Sequence, residues 1–101
     1  MLSFVRAFFM LNGHIKLFVS VIVQAILDAL NIFYNNSKKN EQYNEEAINW
    51  LIHKDFAYVC DLADLHPDYV LYVYLQLKEY NEHLTYEQTH KILHEKFTRS
   101  R

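Results

Sequence analysis

The chain has 101 residues, enough for one domain with a single modest hydrophobic core. Apolar residues make up 51% of it and charged residues 22%, which excludes an intrinsically disordered chain. The net charge of −2 at pH 7 argues against a protein that coats nucleic acid. The single cysteine excludes an internal disulfide framework and a cysteine-based zinc finger; it fits a reducing compartment, so we expect a cytoplasmic location.

Glycine and proline each occur only once in the chain. β-Sandwiches and barrels need frequent turn residues, and phosphate-binding loops need glycines, so this composition excludes both. We therefore predict an all-α fold, a compact bundle of about five or six helices that forms one domain over residues 1–101.

Residues 1–34 are strongly apolar, which raises the question of a membrane span or a secretory signal. Arg6, the Asn12-Gly13 break and Asp28 interrupt the apolar runs, and the longest uncharged run falls short of the roughly 20 residues that a span requires. A signal peptide is the stronger alternative, although residues 25–29 form a weak cleavage context. We predict no membrane partner, and instead two helices, Leu2 to Leu11 and Ile15 to Ile32. The longer one is apolar around most of its circumference, as is typical of a core helix or half of a dimer interface.

A polar loop follows over residues 35–43, and it contains the neighbouring cations Lys38 and Lys39. The next predicted helix runs from Asn44 to His53. Asn44 is its predicted N-cap, and the two glutamates after it favour the first turn through the helix dipole. Four side chains of this helix are predicted to face inward: Ala47, Ile48, Trp50 and Leu51.

Residues 55–79 have the pattern of two helices joined by a tight corner, which predicts a helix-turn-helix unit. Asp55 is the predicted N-cap of the first helix, and Pro67 suits the first turn of the second. Asp64 falls where such units usually carry glycine in a left-handed conformation. Leu65 fills the corner and His66 occupies the cap position. Each helix has a predicted inner face, with Phe56, Val59, Cys60 and Ala63 on the first and Val70, Val73, Tyr74 and Leu77 on the second.

The last predicted helix begins near Thr85, which has capping-box spacing to Gln88. Its inner face consists of Thr89, Ile92, Leu93 and Phe97. Its end carries the only basic concentration in the chain, namely Lys91, Lys96, Arg99 and Arg101. These cations fit either a phosphate-contacting arm or the ordinary preference for positive charge at a helix C-terminus.

Four segments, in the same order and spacing, resemble a small family of prophage-type and gene-transfer-agent-associated proteins of alphaproteobacteria. The segments are Gln24 to Ala29, Ala47 to Leu51, Asp55 to Ala63 and Pro67 to Val70. The function of most relatives is unassigned, and the resemblance implies a role in transcription control, as is thought for some of them. Relatives commonly carry basic residues just after the position of Val70, where this chain has Leu71 and Tyr72.

No catalytic or metal-binding pattern stands out. Four residues step along one potential helix face, His83, Glu87, His90 and His94, but an exposed histidine row is an ordinary polar surface. Cys60 belongs to an apolar helix face, which indicates a buried structural thiol. The acidic residues Asp55, Asp61, Asp64 and Asp68 fit neither a calcium loop nor a shared helical face. We therefore predict no enzyme activity, no cofactor, no metal and no small-molecule substrate.

Two hypotheses remain. In the first, which we take provisionally, the chain is a phage-type regulator that contacts DNA through its cations: Lys38, Lys39, Lys91, Lys96, Arg99 and Arg101. In the second, it binds protein, as a homodimer or with a partner in the transcription machinery, through Tyr69, Leu71, Tyr72 and Leu75. The second helix of the corner has no cation before Lys78, which makes it a poor reader of DNA.

Overall fold

The computed structural model describes residues 15–80 and 84–99, apart from the side chain of Arg99. Within these ranges the chain is all-helical and has no strand, which confirms the predicted fold class. Five helices follow one another: α1 (Ile15–Ala29), α2 (Asn40–Leu51), α3 (Lys54–Leu62), α4 (Pro67–Tyr80) and α5 (Tyr86–Arg99). The helix predicted from Leu2 to Leu11 and the break at Asn12-Gly13 lie outside the described residues. Among the helices described, none is both long and apolar enough to cross a bilayer.

Helix α1 is the centre of the core, since α2, α3 and α5 all pack against it. Its apolar side chains occupy most of the helix circumference, and six of them are at most 2% exposed: Phe18, Val19, Ile22, Val23, Ile26 and Leu27. Fully burying one such side chain stabilises a fold by about 1.5–3 kcal/mol. Of the two alternatives for this helix, a core helix or half of a dimer interface, the structure shows the first, because these side chains are buried within a single chain.

Helix α1 ends three residues before the predicted Ile32. Asn31 adopts a left-handed conformation, with φ 62°. The N–H of Ile32 then donates to the carbonyl of Leu27, and that of Asn31 donates to the carbonyl of Asp28, both at 3.0 Å. This is a Schellman ending, in which asparagine stands in for the usual glycine. It explains how a chain with one glycine turns sharply here.

Helix α2 begins at Asn40 and not at the predicted Asn44. Asn44 is therefore not an N-cap. Its side-chain N–H group instead donates to the carbonyls of Asp28 at 2.8 Å and Ala29 at 3.1 Å. These carbonyls belong to the last turn of α1, whose carbonyls lack the usual donors four residues later; that of Asp28 also accepts the N–H of Asn31. The side chain thus joins the end of one helix to the middle of the next.

The inward face predicted for α2 is correct except at Ile48. Ala47, Trp50 and Leu51 are buried, whereas Ile48 is 41% exposed. Ile48 lies one position from Ala47, so a helix that turns Ala47 toward α1 turns Ile48 away from it.

Helices α3 and α4 meet at a corner formed by residues 63–66. Asp64 has φ 60°, as the sequence requires at this point. The N–H of Leu65 donates to the carbonyl of Cys60 at 2.8 Å, which makes a second Schellman ending. Leu65 is 7% exposed, and Nδ1 of His66 accepts a hydrogen bond from the N–H of Asp68 at 3.2 Å. The corner and its cap are as predicted; the helix-turn-helix interpretation of the pair stays a prediction.

The inner faces predicted for α3 and α4 are buried: Phe56, Val59, Cys60, Ala63, Val70, Val73, Tyr74 and Leu77. The N-cap of α3 was predicted wrongly. His53 takes this position, and its Nδ1 accepts a hydrogen bond from the N–H of Asp55 at 3.1 Å. Asp55 lies in the first turn, where a carboxylate still favours the helix dipole.

Helix α5 begins with the predicted capping box. The N–H of Thr85 donates to Oε1 of Gln88 at 3.0 Å, and the N–H of Gln88 donates to Oγ1 of Thr85 at 3.1 Å. Thr89, Leu93 and Phe97 are fully buried and attach α5 to the core.

We expect Thr85→Ala to lower the free energy of unfolding by about 1 kcal/mol, because it removes the acceptor that satisfies the N–H of Gln88. Urea denaturation measures the change. Thr98→Ala is the matched control, since Oγ1 of Thr98 only donates to the carbonyl of His94 inside the same helix. Equal losses of unfolding free energy in the two variants would mean that the capping box stabilises the fold no more than a hydrogen bond inside the helix does.

Candidate interaction surfaces

One stripe of α4 faces solvent and combines apolar groups with negative charge. We call it the α4 outer face, and it consists of Asp68, Tyr72, Leu75, Gln76 and Glu79. Tyr72 is 57% exposed and Leu75 is 58% exposed. Nε2 of Gln76 donates to the hydroxyl of Tyr72 at 2.8 Å, which holds the tyrosine ring along the helix. The face carries two carboxylates; the single cation of α4, Lys78, is exposed at its edge, three residues after Leu75, with its Nζ 6.0 Å from the centroid of the Tyr74 ring.

The four residues predicted as a protein interface separate into two pairs. Tyr69 and Leu71 are half-buried against the core. The Tyr69 hydroxyl donates to the backbone carbonyl of Lys96 at 3.3 Å, and its ring meets Phe97 edge to face with centroids 6.1 Å apart. Tyr69 therefore joins α4 to α5 inside the chain. Tyr72 and Leu75 remain open to solvent.

The predicted nucleic-acid contacts lie in two places. Lys38 and Lys39 are exposed in the loop before α2, and Lys91 and Lys96 are exposed on α5. None of the four forms an ion pair with another described residue. Arg101 and the side chain of Arg99 are outside the part of the chain that the structure describes.

The charge on α5 is mixed. Glu87 and Glu95 are exposed four residues before and after Lys91, so they share its side of the helix. Opposite charges at this spacing reduce the positive potential that a phosphate would meet. The basic concentration predicted for this helix is therefore partly neutralised where the structure describes it.

A row of aromatic rings runs along α5 from the loop after α1. Tyr34 meets Tyr86 edge to face at 5.5 Å, Tyr86 lies 6.0 Å from His90, and His90 stacks on His94 at 6.2 Å. Sequence reasoning found the histidines but missed Tyr34, which is far away in the chain. His83 lies outside the described residues. Among those described, no three histidine, cysteine or acidic side chains are grouped to hold a metal ion.

Cys60 is fully buried, which confirms the predicted structural position. Burial in this apolar environment raises the pKa of its thiol from 9.0 to about 12. The thiol is therefore protonated at neutral pH and is a poor nucleophile there.

Helices α1 and α2 leave an open groove between them, which sequence reasoning missed. We call it the α1–α2 groove, and its volume is about 550 Å³. The apolar part of its walls is formed by Leu17, Val21 and Ala25 of α1 with Ala47 and Trp50 of α2. The two facing alanines leave the space, because each lacks a side chain long enough to fill it. A small residue that faces another small residue, where a packed interface would pair small with large, is the signal that would have indicated this groove.

The charged groups that line the α1–α2 groove are acidic. Asp28 and Glu46 line it together with the neutral polar residues Ser20, Gln24 and Tyr43, and none of the described residues that line it is a lysine, arginine or histidine. Burial raises the pKa of Asp28, and a hydrogen bond that Gln24 donates to its Oδ1 at 2.8 Å opposes that shift. Trp50, also in the wall, has a buried Nε1 with no hydrogen-bond acceptor among the described residues.

Comparison with known proteins adds no relative to these observations. No family model matches the chain, and neither the curated proteins nor the solved structures contain a match. The chain's own surfaces are therefore the basis on which its function is proposed.

Proposed function

We propose that this chain is a non-enzymatic regulatory protein of the cytoplasm that acts by binding another protein through the α4 outer face. One observation carries the proposal: α4 exposes Tyr72 and Leu75 between Asp68 and Glu79, while its single cation, Lys78, lies at the edge of this face over the Tyr74 ring. The resemblance to prophage-type proteins supports a regulatory role.

The apolar part of this face favours a protein partner. Leucine and tyrosine left more than half exposed gain free energy when a partner removes them from water, about 25 cal/mol for each Å² of apolar area. Tyrosine is enriched at interfaces because its stiff ring buries a large area while its hydroxyl keeps a hydrogen bond. The matching surface would be apolar, with an acceptor for the Tyr72 hydroxyl.

The charges of the α4 outer face also favour a protein over DNA as the partner. In a helix-turn-helix unit the second helix faces the DNA, and here that helix is α4. Asp68 and Glu79 would repel phosphates at this position, whereas lysines or arginines on a protein would pair with them. We propose that the α3–α4 pair has kept the shape of such a unit while its partner is a protein. This protein partner includes the case of a second copy of the chain, which would form a homodimer.

Site-specific photo-crosslinking tests the proposal. A photoreactive amino acid replaces Gln76 in the full-length chain, and the protein is irradiated inside the cells of its source. We expect a covalent adduct with one protein, or with a second copy, that Tyr72→Ser with Leu75→Ser removes. The same label at Glu45, an exposed position on α2, is the control and should give no such adduct. Circular dichroism checks that the double variant keeps its fold, as expected for exposed side chains.

DNA binding is the second candidate, because Lys38, Lys39, Lys91 and Lys96 are exposed and without ion pairs to other described residues. Anisotropy with labelled duplex DNA at about 50 and 200 mM salt decides it. DNA binding would be supported if the affinity falls steeply with salt and is lost in the double variant Lys91→Glu with Lys96→Glu. If, in addition, the label at Gln76 gives no protein adduct, DNA binding replaces protein binding as the proposed function.

A further inference from the structure

We propose that the α1–α2 groove binds a small organic amine, with the ammonium group at the end of the groove that contains Asp28 and an oxygen-bearing apolar body along the rest of its length. This inference does not depend on the proposed function, because the groove and the α4 outer face share no residue. Three properties of the groove identify the ligand: its size and apolar walls, the negative charge at one end, and a hydrogen-bond donor in its wall that lacks an acceptor.

The size and the walls of the groove suit a small molecule. Its volume of about 550 Å³ lies within the range of about 300–1,000 Å³ that is typical of small-molecule sites. Leu17 and Tyr43 line the groove and are 38% and 41% exposed, so a ligand that covers them removes further apolar area from water. The two alanines in the walls, Ala25 and Ala47, leave the room that this ligand would fill.

The groove is charged at one end and apolar at the other. Asn44, near the start of α2, donates to the carbonyl of Asp28 near the end of α1 at 2.8 Å, so the two helices run in opposite directions. Asp28 and Glu46 therefore lie toward one end of the groove. Leu17, near the start of α1, and Trp50, near the end of α2, lie toward the other. An elongated ligand with one charged end matches this arrangement.

The charged end favours a cation. Asp28 lies in the last turn of α1, where the helix dipole already places negative charge and where no basic residue occurs. Its Oδ1 accepts a hydrogen bond from the amide of Gln24 at 2.8 Å, and Oε1 of Glu46 accepts one from the amide of Gln42 at 2.9 Å. Both donors are neutral, and neither carboxylate forms an ion pair with another described residue. Burial disfavours the ionised form of Asp28 and raises its pKa, so an ammonium group beside it would be stabilising.

The wall at the apolar end is short of one hydrogen-bond acceptor. Trp50 is only 9% exposed, and its Nε1 has no acceptor among the described residues. Buried polar groups without a partner are rare in folded proteins and call for an explanation. Because Trp50 lines the groove, an ether or carbonyl oxygen in the body of the ligand would supply the acceptor. The ligand is therefore an amine that also carries oxygen.

Titration with phenoxypropylamine tests the proposal, because this molecule combines an ammonium group, an ether oxygen and an aromatic body. Phenoxypropanol, which has the same ring and ether but no charge, is the control ligand. Nuclear magnetic resonance follows the indole N–H of Trp50 in the isotope-labelled full chain, which contains a single tryptophan. The amine should shift this signal downfield and saturate the shift below about 10 mM. It should also bind at least about tenfold more tightly than the alcohol, because its hydrogen bonds to the carboxylates are charge-assisted.

Removing the two carboxylates should remove the preference for the amine. In Asp28→Asn with Glu46→Gln, we expect the amine to bind no more tightly than the alcohol does. Glu46→Gln alone changes an exposed side chain and should weaken binding of the amine about threefold. Glu45→Gln is the matched control, since Glu45 is exposed beside Glu46 but does not line the groove, so the affinity for the amine should stay unchanged. Circular dichroism establishes that each variant remains folded.

Three results would overturn the proposal. Equal affinities of the amine and the alcohol for the wild type, or no saturable shift with either, would show that the groove does not recognise this ligand class. Equal losses of amine affinity in Glu45→Gln and Glu46→Gln would show that the amine responds only to the overall negative charge of α2. Emission from Trp50 that shifts on dilution from about 100 to about 1 µM without any ligand would show that a second copy of the chain occupies the groove.

Discussion

At pH 8, Cys60 in the folded chain is expected to react with a disulfide reagent at least about a hundredfold more slowly than the same thiol in the unfolded chain, since the higher nucleophilicity of a high-pKa thiolate offsets only part of the loss of thiolate. The thiolate is the reactive form, and it makes up about 10% of a thiol with pKa 9.0 and about 0.01% of one with pKa about 12. Burial of the sulfur adds steric protection to this difference. Following the labelling of the wild type in buffer and in guanidinium chloride gives both rates. Comparable rates in the two solvents would mean that the thiol is accessible in the folded state.

The same pKa shift makes stability depend on pH in one direction. The unfolded chain releases the Cys60 proton near pH 9.0, whereas the folded chain keeps it up to about pH 12. The folded state therefore binds more protons in that window, and the free energy of unfolding falls as the pH rises through it. Tyrosines and lysines also titrate there, so Cys60→Ala provides the reference. Its free energy of unfolding should fall less between pH 9 and 11 than that of the wild type.

Replacing Phe97 by alanine is expected to lower the free energy of unfolding by about 3–5 kcal/mol. Phe97 is fully buried between α5 and the core, and its ring packs against the edge of Tyr69. Truncation leaves a cavity and removes the surface on which Tyr69 rests. Because a domain of this size is stable by only about 5–15 kcal/mol, the urea midpoint should fall sharply.

Lys96→Ala is the matched control for Phe97→Ala. Lys96 is adjacent and exposed, and the substitution keeps the backbone carbonyl that accepts the hydrogen bond from Tyr69. Its effect should stay within about 0.5 kcal/mol. A loss below about 1 kcal/mol in Phe97→Ala would contradict the packing of α5 described here.

The fold class and the inner faces could be predicted because both depend on local periodicity. Apolar residues at steps of three and four identified the buried sides of α3, α4 and α5. The corner at Asp64 could also be predicted, because Leu65, His66 and Pro67 each have a local preference for the position they take.

The two N-cap predictions that were wrong concern positions where a contact with a distant residue, or an unusual hydrogen-bond acceptor, determines the structure. Asn44 matched the N-cap pattern, but its side chain binds carbonyls of α1 that lie 15 and 16 residues earlier. Asp55 was predicted as the N-cap of α3 because aspartate is a common one, whereas Nδ1 of His53 is the acceptor at this position and takes the hydrogen bond from the N–H of Asp55.

The candidate sites were harder to predict than the fold. Tyr69 looked like an interface residue, yet its hydroxyl bonds to a carbonyl 27 residues away. The α1–α2 groove depends on how two helices face each other, which their separate patterns do not specify. Tyr72 and Leu75 were predicted to face outward because they lie opposite a clear inner face, and the structure leaves both exposed to solvent.

The Asn44 side chain also bears on the order in which the chain folds. It ties α2 to the end of α1 across a short loop, and closing a short loop costs little chain entropy. Helix α5 also packs against α1, but more than fifty residues separate these two helices in the sequence. We therefore expect the α1–α2 hairpin to form early in folding, with α5 docking onto it later.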